Sequence, residues 1–95
     1  MPDLIHRIGD ARGCGATTKL PEDDTRKVYV EGHLIALAGD ENTHLDGQLV
    51  SSQVTNVYVG AKKPIVEGDL ALVDLLFHLP SDTKPTGFCD KTYIG

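Results

Sequence analysis

Val28-Tyr29-Val30-Glu31-Gly32-His33-Leu34-Ile35-Ala36-Leu37-Ala38-Gly39-Asp40 and Val57-Tyr58-Val59-Gly60-Ala61-Lys62-Lys63-Pro64-Ile65-Val66-Glu67-Gly68-Asp69 are two copies of one pattern. Each opens on Val-Tyr-Val and closes on Gly-Asp at the same spacing. β-Branched and aromatic residues at the opening predict strands over Lys27–Glu31 and Asn56–Gly60. Gly32-His33 and Gly60-Ala61-Lys62-Lys63 read as hairpin turns. Leu34–Leu37 and Pro64–Glu67 read as the returning strands. The glycine of each Gly-Asp step suits a tight, positive-φ turn, because it has no Cβ to clash. Gly9-Asp10 near the start and Thr92-Tyr93-Ile94-Gly95 at the end make a looser third copy. Repeats of about 20–50 residues signal an array of one supersecondary unit. The expected fold is therefore mainly β, a single domain over residues 1–95 built as a pseudo-threefold repeat of hairpins.

Between the copies, Ala16–Leu20 and Gln48–Val54 read as further strands. Pro21-Glu22-Asp23-Asp24 reads as a solvated acidic loop. Leu70–Phe77 is apolar but too short for periodicity to separate strand from helix. Pro80, Pro85 and Gly87 punctuate a loop over residues 80–87.

The chain has 95 residues, no Trp, and 5% aromatic residues. A chain this short buries only about 60–65% of its unfolded surface, so a staple or a partner is expected. The formal charge is −5. That argues against nucleic acid as a partner, which needs a basic stripe, and against electrostatic adhesion to anionic lipid. No run approaches the roughly 18 apolar residues of a membrane span. Met1-Pro2-Asp3-Leu4 lacks the basic and apolar regions of a signal peptide. The expectation is a chain made in the cytoplasm that would leave the cell by another route.

Chemistry-bearing residues follow the Gly-Asp steps. Asp10 is followed four residues on by Cys14, and Asp40 by His44. With His78 and Cys89 these make a candidate set of soft ligands. Zinc favours four-coordinate sulfur and nitrogen sites, and four protein ligands leave no open position. The expected cofactor is one structural Zn2+ held by Cys14, His44, His78 and Cys89, drawn together because equivalent loops of a repeat converge on one axis. Such a site is worth about 10–16 kcal/mol. His6 and His33 are weaker alternatives: His6 precedes its Gly-Asp step, and His33 sits in a turn. Ser51-Ser52 with His44 and Asp46 superficially offers a hydrolase set. Strand alternation would point these side chains to opposite faces, and no enzyme is expected.

Taken in order, Ile8-Gly9-Asp10 before Cys14-Gly15-Ala16, the copy ending at Gly39-Asp40, Val57-Tyr58-Val59 leading through Lys63-Pro64-Ile65-Val66 to Gly68-Asp69, and the closing Cys89 with Tyr93-Ile94-Gly95 resemble the PAAR-repeat family. Those are small conical proteins at the spike tip of contractile injection machines, in type VI secretion and contractile phage tails. Three departures stand out. Cys14-Gly15-Ala16 replaces the family's His-Gly-Gly. The Pro-Ala-Ala-Arg stretch is eroded to Leu34-Ile35-Ala36-Leu37 and to Pro64-Ile65-Val66-Glu67. The third Gly-Asp step has Val73, not a ligand, at the four-residue position. The resemblance implies a zinc near the apex, one copy capping a trimeric β-helical spike protein, and transient contact with a target membrane. It implies work at the tip of a virion baseplate or secretion spike, with cargo effectors bound non-covalently because Gly95 closes the last strand. The alternative is a stand-alone metal-binding or redox protein using Cys14 and Cys89.

Overall fold

The computed structural model describes residues 3–22, 24–54, 56–74 and 76–94. Its regular elements are β1 (Asp3–Leu4), β2 (Tyr29–Val30), β3 (His33–Leu34), β4 (Leu49–Val50), β5 (Leu70–Ala71), the helical turn α1 (Pro80–Thr83) and β6 (Tyr93–Ile94). They form three two-stranded antiparallel sheets: β1 with β6, β2 with β3, and β4 with β5. The chain is thus mainly strand, as expected, but the strands are shorter than their composition suggests.

What replaces long strands is a closed ring of backbone hydrogen bonds. His6 N–H donates to Ile65 O (2.8 Å), Ile65 N–H to Ala36 O (3.2 Å), and Ala36 N–H to His6 O (3.1 Å). Three further bonds close a second ring in the opposite sense: Ile8 N–H to Leu34 O, Ala38 N–H to Lys63 O, and Glu67 N–H to Leu4 O. The bridges Ile5–Val66, Arg7–Ile35 and Leu37–Pro64 belong to the same ring. Each extended segment meets two neighbours, so neither continues far as a ladder. Alternation along each segment sends side chains to opposite faces. His6, Ala36 and Ile65 are fully buried on one face. Ile5, Ile35, Leu37 and Val66 pack on the other with Val30, Val54 and Cys89. A second cluster joins Ala36 and Ile65 to Leu49 and Ala71.

The three Gly-Asp steps close identical turns. Gly9, Gly39 and Gly68 have φ of 92°, 95° and 90°. The N–H of Asp10, Asp40 and Asp69 donates to the carbonyl three residues back, on Arg7, Leu37 and Val66. Each carboxylate then accepts the N–H of that same residue, at 2.9, 2.8 and 2.9 Å. The remaining oxygen valence differs between copies. Asp10 takes the fork of Arg7, Asp40 that of Arg26, and Asp69 the N–H groups of Ser52 and Gln53.

Several expectations are corrected. The first hairpin turn is Glu31-Gly32, one residue earlier than expected, because Val30 pairs with His33. Glu31 and Gly32 both have positive φ, as a two-residue hairpin turn demands. The second turn narrows to Gly60-Ala61, between paired Val59 and Lys62. The loop at 80–87 begins with the turn α1. Asp24 is not simply solvated: it pairs with Arg26 at 2.7 Å, and Arg26 pairs in turn with buried Asp40 at 2.6 Å. Asp23 lies outside the described residues.

Candidate metal centre

Three short turns build the site. Gly15 N–H donates to Arg12 O, Leu45 N–H to Asn42 O, and Phe77 N–H to Asp74 O. The closing residue of each has positive φ: 88° at Gly15, 70° at Leu45 and 62° at Phe77. The opening residues Arg12, Asn42 and Asp74 are all buried. Cys14 and His44 therefore occupy the same place in two turns. In the third turn that place belongs to Leu76. There the donors come instead from Asp74, which opens the turn, and from His78, which follows it.

Ligand atoms of Cys14, His44, Asp74 and His78 all lie within 4.8 Å of one another. His78 Nδ1 is 2.8 Å from Asp74 Oδ2, and His44 Nδ1 is 3.4 Å from the same oxygen. The two imidazoles face each other with centroids 5.0 Å apart. Bonds of about 2.0–2.3 Å give a tetrahedral edge of about 3.3–3.8 Å, which the 2.8 and 3.4 Å separations and the 4.8 Å limit bracket. His44 Nδ1 is buried and has no hydrogen-bond partner among the described residues. A buried imidazole nitrogen without a hydrogen-bond partner is costly, and a cation between it and the carboxylate would satisfy both.

The surroundings hold the donors in place. Burial alone would raise the Asp74 carboxyl, but hydrogen bonds from the His78 ring and N–H and from Asn42 Nδ2 prevail and keep it well below the usual carboxylate range. Asn42 Nδ2 donates to Asp74 Oδ2 (3.1 Å) and approaches Cys14 Sγ (3.8 Å). Its Oδ1 accepts the N–H of His44 (2.9 Å). A Cβ on Gly47 would sit 2.7 Å from Asn42 Nδ2 and 3.1 Å from Asp74 Cβ, so only glycine fits behind this pair. Beside them, buried Arg12 donates to Thr18 Oγ1 and to the carbonyls of Gly47, Thr83 and Asp40. Desolvation lowers its pKa to about 10, so it stays charged at neutral pH.

The structure brings together three of the four residues expected as ligands, Cys14, His44 and His78, and adds Asp74. Cys89 is elsewhere. Its Sγ accepts the N–H of Ile5 (3.4 Å) and donates to Thr92 O (3.0 Å) within an apolar cluster. It acts as a small buried hydrophobe with a weak S–H donor. Both cysteines are free thiols. His6 is buried with both ring nitrogens engaged, Nδ1 with Gly87 O and Nε2 with Thr18 Oγ1, each at 2.6 Å. His33 lies in β3, outside the cluster. Ser51 Oγ donates to Pro64 O and Ser52 Oγ to Asp69, so neither hydroxyl is paired with His44. Asp74 was detectable as the single carboxylate inside the apolar run Leu70–Leu79. Comparison with protein-family models, curated proteins and solved structures gave no match.

Leu45 and Phe77 are notable for their backbone. A side chain in the left-handed region costs about 1–2 kcal/mol relative to glycine, and the first turn does use Gly15.

Proposed function

We propose that this chain is a non-enzymatic, zinc-stapled spike tip. One copy caps a trimeric β-helical spike protein of a contractile injection machine and narrows it to a conical point that breaches a target envelope. The observation that carries this is the closed ring through His6, Ala36 and Ile65. Three segments related in this cyclic way make a pseudo-threefold body, and such a body offers near-equivalent surfaces to three subunits. Capping also covers the open strand ends of a β-helix.

Two further features support it. Each copy exposes one tyrosine at its strand: Tyr29 (65% exposed), Tyr58 (57%) and Tyr93 (53%). Tyrosine is favoured at interface cores, and three in equivalent places suit a threefold partner. The ligand set joins segments distant in sequence, so an ion there stiffens the point against mechanical load. A thiolate, two imidazoles and a carboxylate fit zinc among common divalent ions. Four protein donors make the site structural.

Mixing the protein with the C-terminal β-helical fragment of a spike encoded beside it tests the reading. A complex of one chain per trimer, weakened by Tyr29→Ala with Tyr58→Ala, is expected. A lasting failure to bind any such trimer refutes the cap.

A further inference from the structure

Among its described residues, the segment from Leu70 to Leu79 is turned inside out. Its only charged residue, Asp74, is buried, whereas Leu70, Leu72, Val73, Leu76, Phe77 and Leu79 are 50, 50, 41, 59, 84 and 61% exposed. Beside it, across the paired imidazoles of His44 and His78, Leu45 is 48% exposed. Leu45 and Phe77 occupy the strained turn position that Gly15 fills in the first copy. Glycine would serve the turn better, and these side chains cover little of their own protein.

We infer that this apolar turn, led by Phe77 with Leu76, Leu79 and Leu45, seats in the acyl-chain boundary of a lipid bilayer. The backbone favours lipid over a protein partner. Donors entering an apolar phase must be satisfied internally. Here the N–H groups of Leu76 and His78 both donate to Asp74 Oδ1, and that of Phe77 to Asp74 O. Just upstream, Leu72 N–H is held by Gln48 O. Asp74 thus turns the N–H groups of Leu76, Phe77 and His78 inward, while the exposed side chains of Leu76, Phe77 and Leu79 are hydrocarbon. A protein-docking loop would instead keep polar groups for a rim of hydrogen bonds. With a formal net charge of −5, attraction to anionic headgroups does not contribute. Association rests on apolar burial and is indifferent to lipid charge.

This deepens the envelope-breaching half of the proposed function, on which its biological meaning rests; the measurement itself needs no spike. The chain has no Trp, so Phe77→Trp provides a single reporter and Tyr58→Trp a control away from the turn. Vesicles of phosphatidylcholine, with and without phosphatidylglycerol, serve as the bilayer. The expected result is co-flotation with both compositions and a blue shift of the Phe77→Trp emission. Quenching by acyl-labelled lipid should be seen for Phe77→Trp and not for Tyr58→Trp. Phe77→Asp, which alters an exposed side chain, should keep its circular dichroism and reduce co-flotation about tenfold or more. Absence of co-flotation, equal quenching of the two reporters, or binding confined to anionic vesicles would overturn the inference. So would a stable dimer in sedimentation that Phe77→Asp dissolves without any vesicle binding by the parent protein. Phe77→Asp should leave spike capping unchanged, so loss of capping and loss of lipid binding are told apart.

Discussion

Asp74 Oδ2 stands 2.8 Å from His78 Nδ1 and 3.4 Å from His44 Nδ1, so one carboxylate oxygen faces two imidazole nitrogens from separate turns. That oxygen already accepts from the His78 ring and from Asn42 Nδ2, and among the described residues His44 Nδ1 has no hydrogen-bond partner. The proposed divalent ion would resolve the conflict.

Purified without chelators, the protein is expected to carry one zinc per chain by elemental analysis. Asp74→Asn and His44→Ala should each weaken retention at least tenfold. Cys89→Ala should keep the metal and lose about 1–3 kcal/mol of stability from its core position. If Cys89→Ala empties the site while Asp74→Asn does not, the ligand set is wrong.

Arg26 couples Asp24 to Asp40, and the Asp40 side chain is fully buried. Removing one member of a buried pair strands the other charge and costs about 3–5 kcal/mol. Asp40→Ala should lower the urea midpoint by a corresponding amount. Arg7→Ala, at the more exposed counterpart pair with Asp10, should cost about 1 kcal/mol or less.

Burial lowers the pKa of His6 from 6.5 to about 4, outweighing the hydrogen bond to Gly87 O. Because Gly87 O can only accept, Nδ1 carries the proton and Nε2 accepts from the Thr18 hydroxyl. Between those two values the unfolded chain binds a proton that the folded chain refuses. Stability is therefore full above pH 6.5 and falls as pH drops toward 4, by at most about 3 kcal/mol. Urea titrations in excess chelator should show this slope, and His6→Asn should flatten it.

Leu45 and Phe77 hold positive φ without glycine's freedom. Leu45→Gly or Phe77→Gly should raise the melting temperature or leave it unchanged, since relief of about 1 kcal/mol of strain offsets the greater disorder of the unfolded chain. Gly47→Ala should do the reverse, because its Cβ would strike Asn42 and Asp74. A fall in melting temperature for Phe77→Gly would mean that the ring packs on its own protein.

The Gly-Asp turns were legible because their chemistry is local: a glycine at positive φ and a carboxylate reaching three residues back. The clustering of Cys14, His44 and His78 was legible in part for the related reason that two follow those turns at a fixed distance. Asp74 escaped because the stretch after Gly68-Asp69 is longer than those after the other two Gly-Asp steps. Arg12 and Asn42 lie two residues past their Gly-Asp aspartates, whereas Asp74 lies five past Asp69. Counting from Asp69 therefore lands on the wrong residue. Cys89 misled because sulfur serves equally as ligand and as core filler, and only its neighbours Ile5 and Thr92 decide between them. The strands were overestimated at Leu34–Leu37 and Pro64–Glu67. Propensity reports an extended backbone but not how many neighbours share it, and here each segment turns from one neighbour to the next.

The pairing of β1 with β6, Asp3 with Ile94 and Leu4 with Tyr93, is the last of the three strand pairings that synthesis makes available. Every contributor to the ion cluster leaves the ribosome before residue 93 does. A nascent chain can therefore gather Cys14, His44, Asp74 and His78 while its first strand still lacks the neighbour that seals it. If the cluster holds the proposed ion, capture would precede closure, and a cell short of the ion would accumulate chains whose opening strand stays available to the wrong mate.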